Sequence, residues 1–397
     1  MPGPGAYWIG DEERSEVLDV LSAGCLFRYG KAGQDGFKAK AYTLEQEFAS
    51  YSGVKHCIAN TSGTASLLLG LESLGIGAGD EVIVPAYTFV ASYTTILHTG
   101  AVPVLAEIDE SLTIDPEDIE ARIAPRTKAI MPVHMLGNPS NLDAIMDLAN
   151  RHGLVVLEDA CQCNGASYHG KAIGSVGAMG AFSLNVFKTV SCGDGGLLIT
   201  DDDDLYERAF GYHDQGHKPN RAGVEVGKRD ILGLNFRMTE LSAAVALAQL
   251  HKLDRIVSTL RAKKKRFRSA IGDIPGMGYR TINDPEGECA TLLTVIFECE
   301  KRAKAVAAKL GTSTVDNSGW HVYSNMEHVM HSLKDMGQPY GKGAYPKTDD
   351  ILGRSINLSV GVVDAGVGAA FGININSTDD EIDQAAQRFR AACEETR

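Results

Sequence analysis

The sequence predicts an α/β fold in which a large domain, built on a mainly parallel seven-stranded sheet flanked by helices, precedes a smaller C-terminal α/β domain. Three observations predict it. From about residue 54, short β-branched or apolar runs alternate with amphipathic helical segments, the pattern of strands joined by crossover helices. A longer periodic segment from Thr239 to Gly272 leads the chain out of that alternation. Beyond Gly276 the patterning weakens, yet 397 residues are enough for two cores. The expected division is residues 1–250, an N-terminal arm included, and residues 251–397.

In chain order the expected strands are His56 to Asn60, Glu81 to Val84, Val102 to Ile108, Ala129 to His134, Val155 to Glu158, Gly180 to Ser183 and Gly196 to Thr200. Two crossover helices are marked by their ends. Thr64 to Gly75 is apolar at helical spacing and stops at glycine, and Asn141 to Gly153 opens on a capping asparagine and also stops at glycine. In the C-terminal part, Thr291 to Phe297 reads as a strand, Ala303 to Leu310 and Thr378 to Cys393 as helices, and the Gly/Pro/Lys-rich stretch Met336 to Lys347 as a loop.

Composition narrows the function. Thirty-eight basic against fifty-one acidic side chains give a net charge of −13, which argues against a nucleic-acid surface. The basic run Arg261 to Arg268 has helical context on both sides and reads as a solvated helix face. Eight cysteines at irregular spacing make no disulfide framework, and Cys161-Gln162-Cys163 is too short for a zinc clip. Reduced thiols fit a cytoplasmic location. Met1 to Ala6 lacks a basic segment followed by an apolar one, and no stretch approaches a membrane span, so a soluble, unexported protein is expected.

Lys188 is the most informative residue. It lies between Glu158-Asp159-Ala160-Cys161-Gln162 and the glycine-rich run Cys192 to Gly196, placed to form a Schiff base with an aldehyde cofactor; taken alone, it also reads as a surface lysine. Asp159 ends the apolar strand Leu154 to Leu157, where a carboxylate needs a cation such as a protonated pyridine nitrogen. It reads equally as a helix cap. Gly63 and Thr64, at a strand-to-helix junction, form a phosphate cradle or plain capping. Phe89 follows a strand and is placed to stack on a cofactor ring or to pack in the core. Ser183 and Asn235 are polar positions without a signal of their own.

Together these segments resemble the DegT/DnrJ/StrS family of sugar aminotransferases. The resemblance runs from about Leu44 to Ile256 and rests on Thr61-Ser62-Gly63-Thr64-Ala65, Gly77 to Pro85, Thr88-Phe89-Val90-Ala91, Pro125 to Ile130, Glu158 to Gln162 and Gly233 to Met238. It implies the aspartate-aminotransferase type of fold, fold type I of pyridoxal 5'-phosphate enzymes. It further implies that Lys188 binds the cofactor covalently and shuttles the proton, and that Asp159 pairs with the pyridine nitrogen. Gln162 is implied at the phenolic oxygen, Phe89 on the ring face, and Gly63, Thr64 and Ser183 at the phosphate. Asn235 is implied to reach the phosphate from a partner subunit, hence a homodimer.

The implied reaction takes an amino group from glutamate or glutamine to a keto or aldehyde sugar, and lysine rather than histidine at position 188 implies amination rather than the dehydration seen in some members. Leu184-Asn185 and Asp194 depart from the family pattern of an aromatic-His pair and a Glu. One subgroup, which aminates a Kdo-type sugar aldehyde, is resembled in Phe27-Arg28-Tyr29, Val133-His134-Met135 and His213 to His217, among other segments. Trp320 to Tyr323 are candidate walls of the substrate pocket. Arg28, His213, His217, Lys218, Arg221 and Arg229 are candidate positive charges for an anionic substrate or solvated loop residues. A cysteine desulfurase with Cys192 or Cys289 as nucleophile is an alternative on the same fold, as is a non-catalytic regulatory member.

Overall fold

The computed structural model describes residues 3–30, 36–219 and 230–397. Nine strands are formed by residue 200: β1 (His56–Asn60), β2 (Glu81–Pro85), β3 (Val102–Ala106), β4 (Thr127–Ile130), β5 (Val155–Asp159), a small hairpin of β6 (Ser167–Tyr168) and β7 (Lys171–Ala172), β8 (Met179–Ser183) and β9 (Gly196–Thr200). All but the hairpin make one seven-stranded sheet in the order β1-β9-β8-β5-β4-β2-β3. Neighbours pair in parallel except β9, which runs antiparallel to both β1 and β8. The reason is local. Residues 184–195 return the chain from β8 without a helix, and a return without a crossover gives an antiparallel pair. Lys188 stands in that return.

Helix ends follow the sequence signals. Ser62 accepts from the Ala65 N–H at the start of helix Gly63–Ser73, and Asn141 from the Ala144 N–H at the start of helix Leu142–His152, which stops at Gly153 with φ 64°. Two strands are shorter than the sequence suggests. β4 ends at Ile130 rather than His134, because Pro132 has no N–H to give and Val133 keeps only an isolated bridge to Asp159. β3 ends at Ala106, since Ile108 instead bridges Ile114. The segment Thr239 to Gly272 is two helices, Glu240–Leu250 and Leu253–Ile271. At the break, the Lys252 ammonium donates to the Trp8 carbonyl at 2.9 Å and to both Glu13 oxygens at 2.7 and 2.8 Å.

The C-terminal part has its own antiparallel sheet, β10 (Met277–Tyr279), β11 (Leu292–Phe297) and β12 (Ser355–Ser359), backed by helices Glu300–Leu310 and Asp379–Glu394. A capping box of Thr378 and Glu381 opens the last helix. The helix break at His251 and Lys252 falls in the chain between the strands of the two sheets. No helix among the described residues is long and apolar enough to cross a membrane.

Arg28 has a structural task. Buried, it grips Glu45 through two contacts of 2.8 and 2.9 Å and donates to the Ala59 carbonyl at 3.1 Å, while Glu45 accepts from the Ala59 N–H at 2.8 Å. The pair fastens helix Lys40–Ser52 to β1. Arg28→Ala strands a buried carboxylate, so unfolding free energy in a denaturant titration should fall by about 3–5 kcal/mol.

Candidate active site

In open α/β sheets, ligands bind beyond the carboxyl ends of the parallel strands. Here a cavity of about 540 Å³ opens at that edge, walled by the residues that follow β1, β2, β5 and β8. It is lined by Lys188, Asp159, Gln162, Ser183, Gly63, Thr64 and Phe89. These seven expected positions, scattered over the sequence, thus share one cavity. The eighth, Asn235, does not: it is exposed, bridges Asp214 and lies outside the lining.

The Lys188 ammonium has no hydrogen-bond or ion-pair partner among the described residues. Burial pushes it below the usual lysine range, and the nearby Cys161, Asp159 and Asp364 only partly oppose that shift. Its backbone is set by a turn in which the Lys188 N–H donates to the Asn185 carbonyl at 3.0 Å and the Phe187 N–H to Asn185 Oδ1 at 3.1 Å.

Asp159 is the last residue of β5 and is buried. Its Oδ2 accepts from the Ser92 hydroxyl at 2.7 Å and its Oδ1 from the Cys161 N–H at 3.1 Å. No cation lies within ion-pair distance among the described residues. A carboxylate so placed, with neutral donors only, is short of the charge that would offset its burial.

Gln162 Oε1 accepts from the Leu136 N–H at 3.1 Å. Leu136 adopts φ 57°, a left-handed conformation that costs a leucine roughly 1–2 kcal/mol. With its oxygen held there, the Gln162 amide nitrogen makes no hydrogen bond among the described residues, and Gln162 lines the cavity.

At the start of helix Gly63–Ser73, the Ser62 hydroxyl takes the Ala65 N–H, so the N–H groups of Gly63 and Thr64 are left for the cavity with the helix dipole behind them. Gly63 has no room for a side chain. A Cβ there would stand 2.7 Å from Ser183 Cβ and 2.8 Å from Cys161 Sγ. Gly63→Ala should therefore destabilise the protein by about 1–3 kcal/mol and weaken binding of a phosphate-bearing ligand. Thermal unfolding with and without pyridoxal phosphate checks both effects.

The C-terminal part also contributes to the lining. Residues 320–323 lie antiparallel along the segment after β2: the Thr88 N–H donates to the His321 carbonyl and the Val90 N–H to the Trp320 carbonyl, both at 2.9 Å, and Tyr87 bridges Val322. Trp320 and His321 line the cavity, whereas Val322 and Tyr323 are buried beside it. The His321 ring lies 5.3 Å from that of Phe89. Burial, with the Lys188 charge adding to it, drops the His321 pKa to about 3, so the ring is neutral.

Of the candidate positive charges, Arg28 is spent on Glu45. His213 is buried beside Arg28 and pushed down to about 3 by burial and by that cation, and Lys218 pairs with Glu207. His217 lies outside the cavity lining. Arg221 and Arg229 fall outside the described residues. Ser92 and Asp364 escaped the sequence reading. Ser92 stands one residue past the Thr88-Phe89-Val90-Ala91 segment, and no pattern marked Asp364.

A model of the DegT/DnrJ/EryC1/StrS aminotransferase family matches residues 9–363. The chain belongs to that family. A spore coat polysaccharide biosynthesis protein, SpsC, of Bacillus subtilis is 36% identical over 359 residues, covering 88% of this chain and 90% of that protein. GDP-perosamine synthase of Vibrio cholerae is 37% identical over 351 residues, covering 87% and 90%. Among solved structures, an aminotransferase from Psychrobacter cryohalolentis superposes with a TM-score of 0.82 at 27% identity, covering 100% of this chain and 99% of that one. The chain is thus a pyridoxal-phosphate-dependent aminotransferase of fold type I, and its relatives are sugar aminotransferases.

Proposed function

We propose that this aminotransferase moves the amino group of glutamate or glutamine to the carbonyl of a keto or aldehyde sugar, as a cytoplasmic homodimer, with Lys188 as its catalytic residue. The observation that carries the reading is the pairing, in one cavity, of an unpartnered Lys188 with a buried Asp159 that lacks a cation. The cavity fits the cofactor. Gly63 packs against Ser183 and Cys161 too closely for a side chain, and Gly63, Thr64 and Ser183 together line the cavity as a cradle for the phosphate; Gln162 offers its amide nitrogen to the phenolic oxygen, and Phe89 its face to the ring.

Bound pyridoxal phosphate supplies an electron-accepting ring. The protein does the rest. Asp159, held by Ser92 and the Cys161 N–H, keeps the ring nitrogen protonated. Lys188, neutral more readily than an ordinary lysine, takes the proton from the donor Cα and returns one at the cofactor carbon; on the sugar the same transfers run in reverse. Because its pKa is lowered, the modification rate of Lys188 in cofactor-free protein should rise with pH and level off at lower pH than for a surface lysine. A profile matching that of a surface lysine would contradict this.

The substrate side is built for hydroxyl groups. Trp320 and Phe187 expose aromatic faces, and Asp194 and Asp364 each spend an oxygen on a protein donor, Asn185 Nδ2 at 3.1 Å and the Gly366 N–H at 2.8 Å. Their second oxygens remain for sugar hydroxyls, while the aromatic faces suit the C–H face of a sugar ring. Partner contact is supported by Asn235, exposed beside Leu232, Leu234 and Phe27, whose apolar side chains also face outward. A dimer would cover them.

Cysteine desulfuration is disfavoured. Cys289 is fully buried and outside the lining, and the Cys192 thiol is pushed up to about 12 by burial and by Asp194. The deciding experiment loads the protein with amino groups from glutamate, then offers a GDP-linked keto sugar, an inosose and a Kdo-type aldehyde in turn. Return of the lysine-bound absorbance with one of them supports the reading, and the responding sugar names the substrate. No return with any carbonyl sugar would overturn it.

A further inference from the structure

We propose that the N-terminal arm, Gly3 to Trp8, is a positioning element for Lys188, holding the loop that carries it. The inference rests on the role given to Lys188 above. The Gly3 N–H donates to the Val186 carbonyl at 2.8 Å and the Gly5 N–H to the Lys188 carbonyl at 3.4 Å. Two bonds two residues apart hold the backbone from Val186 to Lys188. Gly3, Pro4 and Gly5 are buried although they lie near the chain start.

Contact is close enough to exclude any side chain. A Cβ on Gly3 would lie 2.2 Å from the Phe187 carbonyl oxygen and 2.9 Å from the Lys188 nitrogen; one on Gly5 would lie 2.5 Å from Gln249 Oε1 and 2.8 Å from the Thr189 carbonyl oxygen. Gly3 itself has φ −78° and ψ 179°, a conformation open to any residue. Glycine is required there by the approach to the lysine loop, not by backbone strain.

The arm is anchored by a buried polar node. Glu13 accepts from Gln249 Nε2 at 2.7 Å and from the Lys252 ammonium, which also holds the Trp8 carbonyl. Gln249 Oε1 accepts in turn from the Ser191 N–H at 3.3 Å. One node thus ties the arm, the end of helix Glu240–Leu250 and the lysine loop together. With the loop so tied, Lys188 is held where it lines the cavity.

The test uses the full-length Gly3→Ala and Gly5→Ala proteins. In the cofactor-free state, amide hydrogen exchange across residues 186–191 should quicken by about tenfold, as expected when one or two backbone hydrogen bonds are lost locally, with exchange in β1 and β5 unchanged. The pH profile for modification of Lys188 by acetic anhydride should move up toward that of a surface lysine. In the loaded enzyme, kcat should fall in both half-reactions with KM for donor and sugar unchanged. Lys252→Ala, which frees the anchor without crowding the loop, should shift exchange in the same direction by less. Unchanged exchange and an unchanged modification profile in Gly3→Ala would overturn the proposal, whatever the activity. A Lys188→Ala enzyme that still transaminates would overturn the function instead, and the exchange data would stand apart from it.

Discussion

Lys188→Ala should slow amino transfer from glutamate by about 10⁴-fold, the upper range for loss of a positioned general base, and should abolish the visible absorbance of lysine-bound pyridoxal phosphate. The fold should not suffer. Lys188 has no hydrogen-bond or ion-pair partner among the described residues, so its removal orphans nothing. Its folded pKa lies below the unfolded value; the unfolded chain therefore binds more protons between the two, and the cost of burying the ammonium eases as pH rises through that interval. Alanine removes this cost, so the cofactor-free variant should unfold at the same or higher denaturant concentration at neutral pH. Single-turnover kinetics with glutamate check the rate, and urea titration checks the stability. Near-normal turnover would contradict the assignment.

Asp159→Asn should be the second most damaging change. An ion pair of this kind raises the pKa of the protonated partner by roughly 1–3 units, so its loss depletes the protonated ring by about 10- to 1,000-fold at neutral pH, and both half-reactions should slow in proportion. Asparagine fits the space: its oxygen can still accept from the Cys161 N–H, and its amide nitrogen can donate to the Ser92 hydroxyl, which then turns its own proton to Thr88. Folding should therefore be spared. Ser92→Ala, which leaves the charge and loosens only its orientation, should cost much less. Comparable losses in the two variants would show that orientation of Asp159 matters more than its charge.

Asp159 was legible in the sequence because it sits at a strand end marked by an apolar run, and Lys188 because it lies between Glu158–Gln162 and a glycine-rich run. The same holds for Gly63 and Thr64 after β1 and for Asn141 and Gly153 at the ends of their helix. Local signals fixed most of the large sheet. What the sequence hid depends on distant contacts. Nothing near Thr239 to Gly272 announces a break at His251 and Lys252, because the break coincides with contacts to Trp8 and Glu13. Asp364 enters the cavity from a loop after β12, a strand with no clear signal of its own, and Trp320 and His321 arrive there by pairing with residues more than two hundred positions earlier. Asn235 is outside this chain's cavity, so its part in a site belongs to the proposed homodimer. Pro132 at the end of β4 was readable, since a proline has no N–H for an interior strand.

The central claim is that the cofactor attaches to this one lysine. Reduction of the pyridoxal-phosphate-loaded protein with borohydride, followed by proteolysis and mass spectrometry, tests it most directly. A single phosphopyridoxyl group on the peptide containing Lys188 is the predicted result. A group on another lysine, or none on any peptide, would contradict the account.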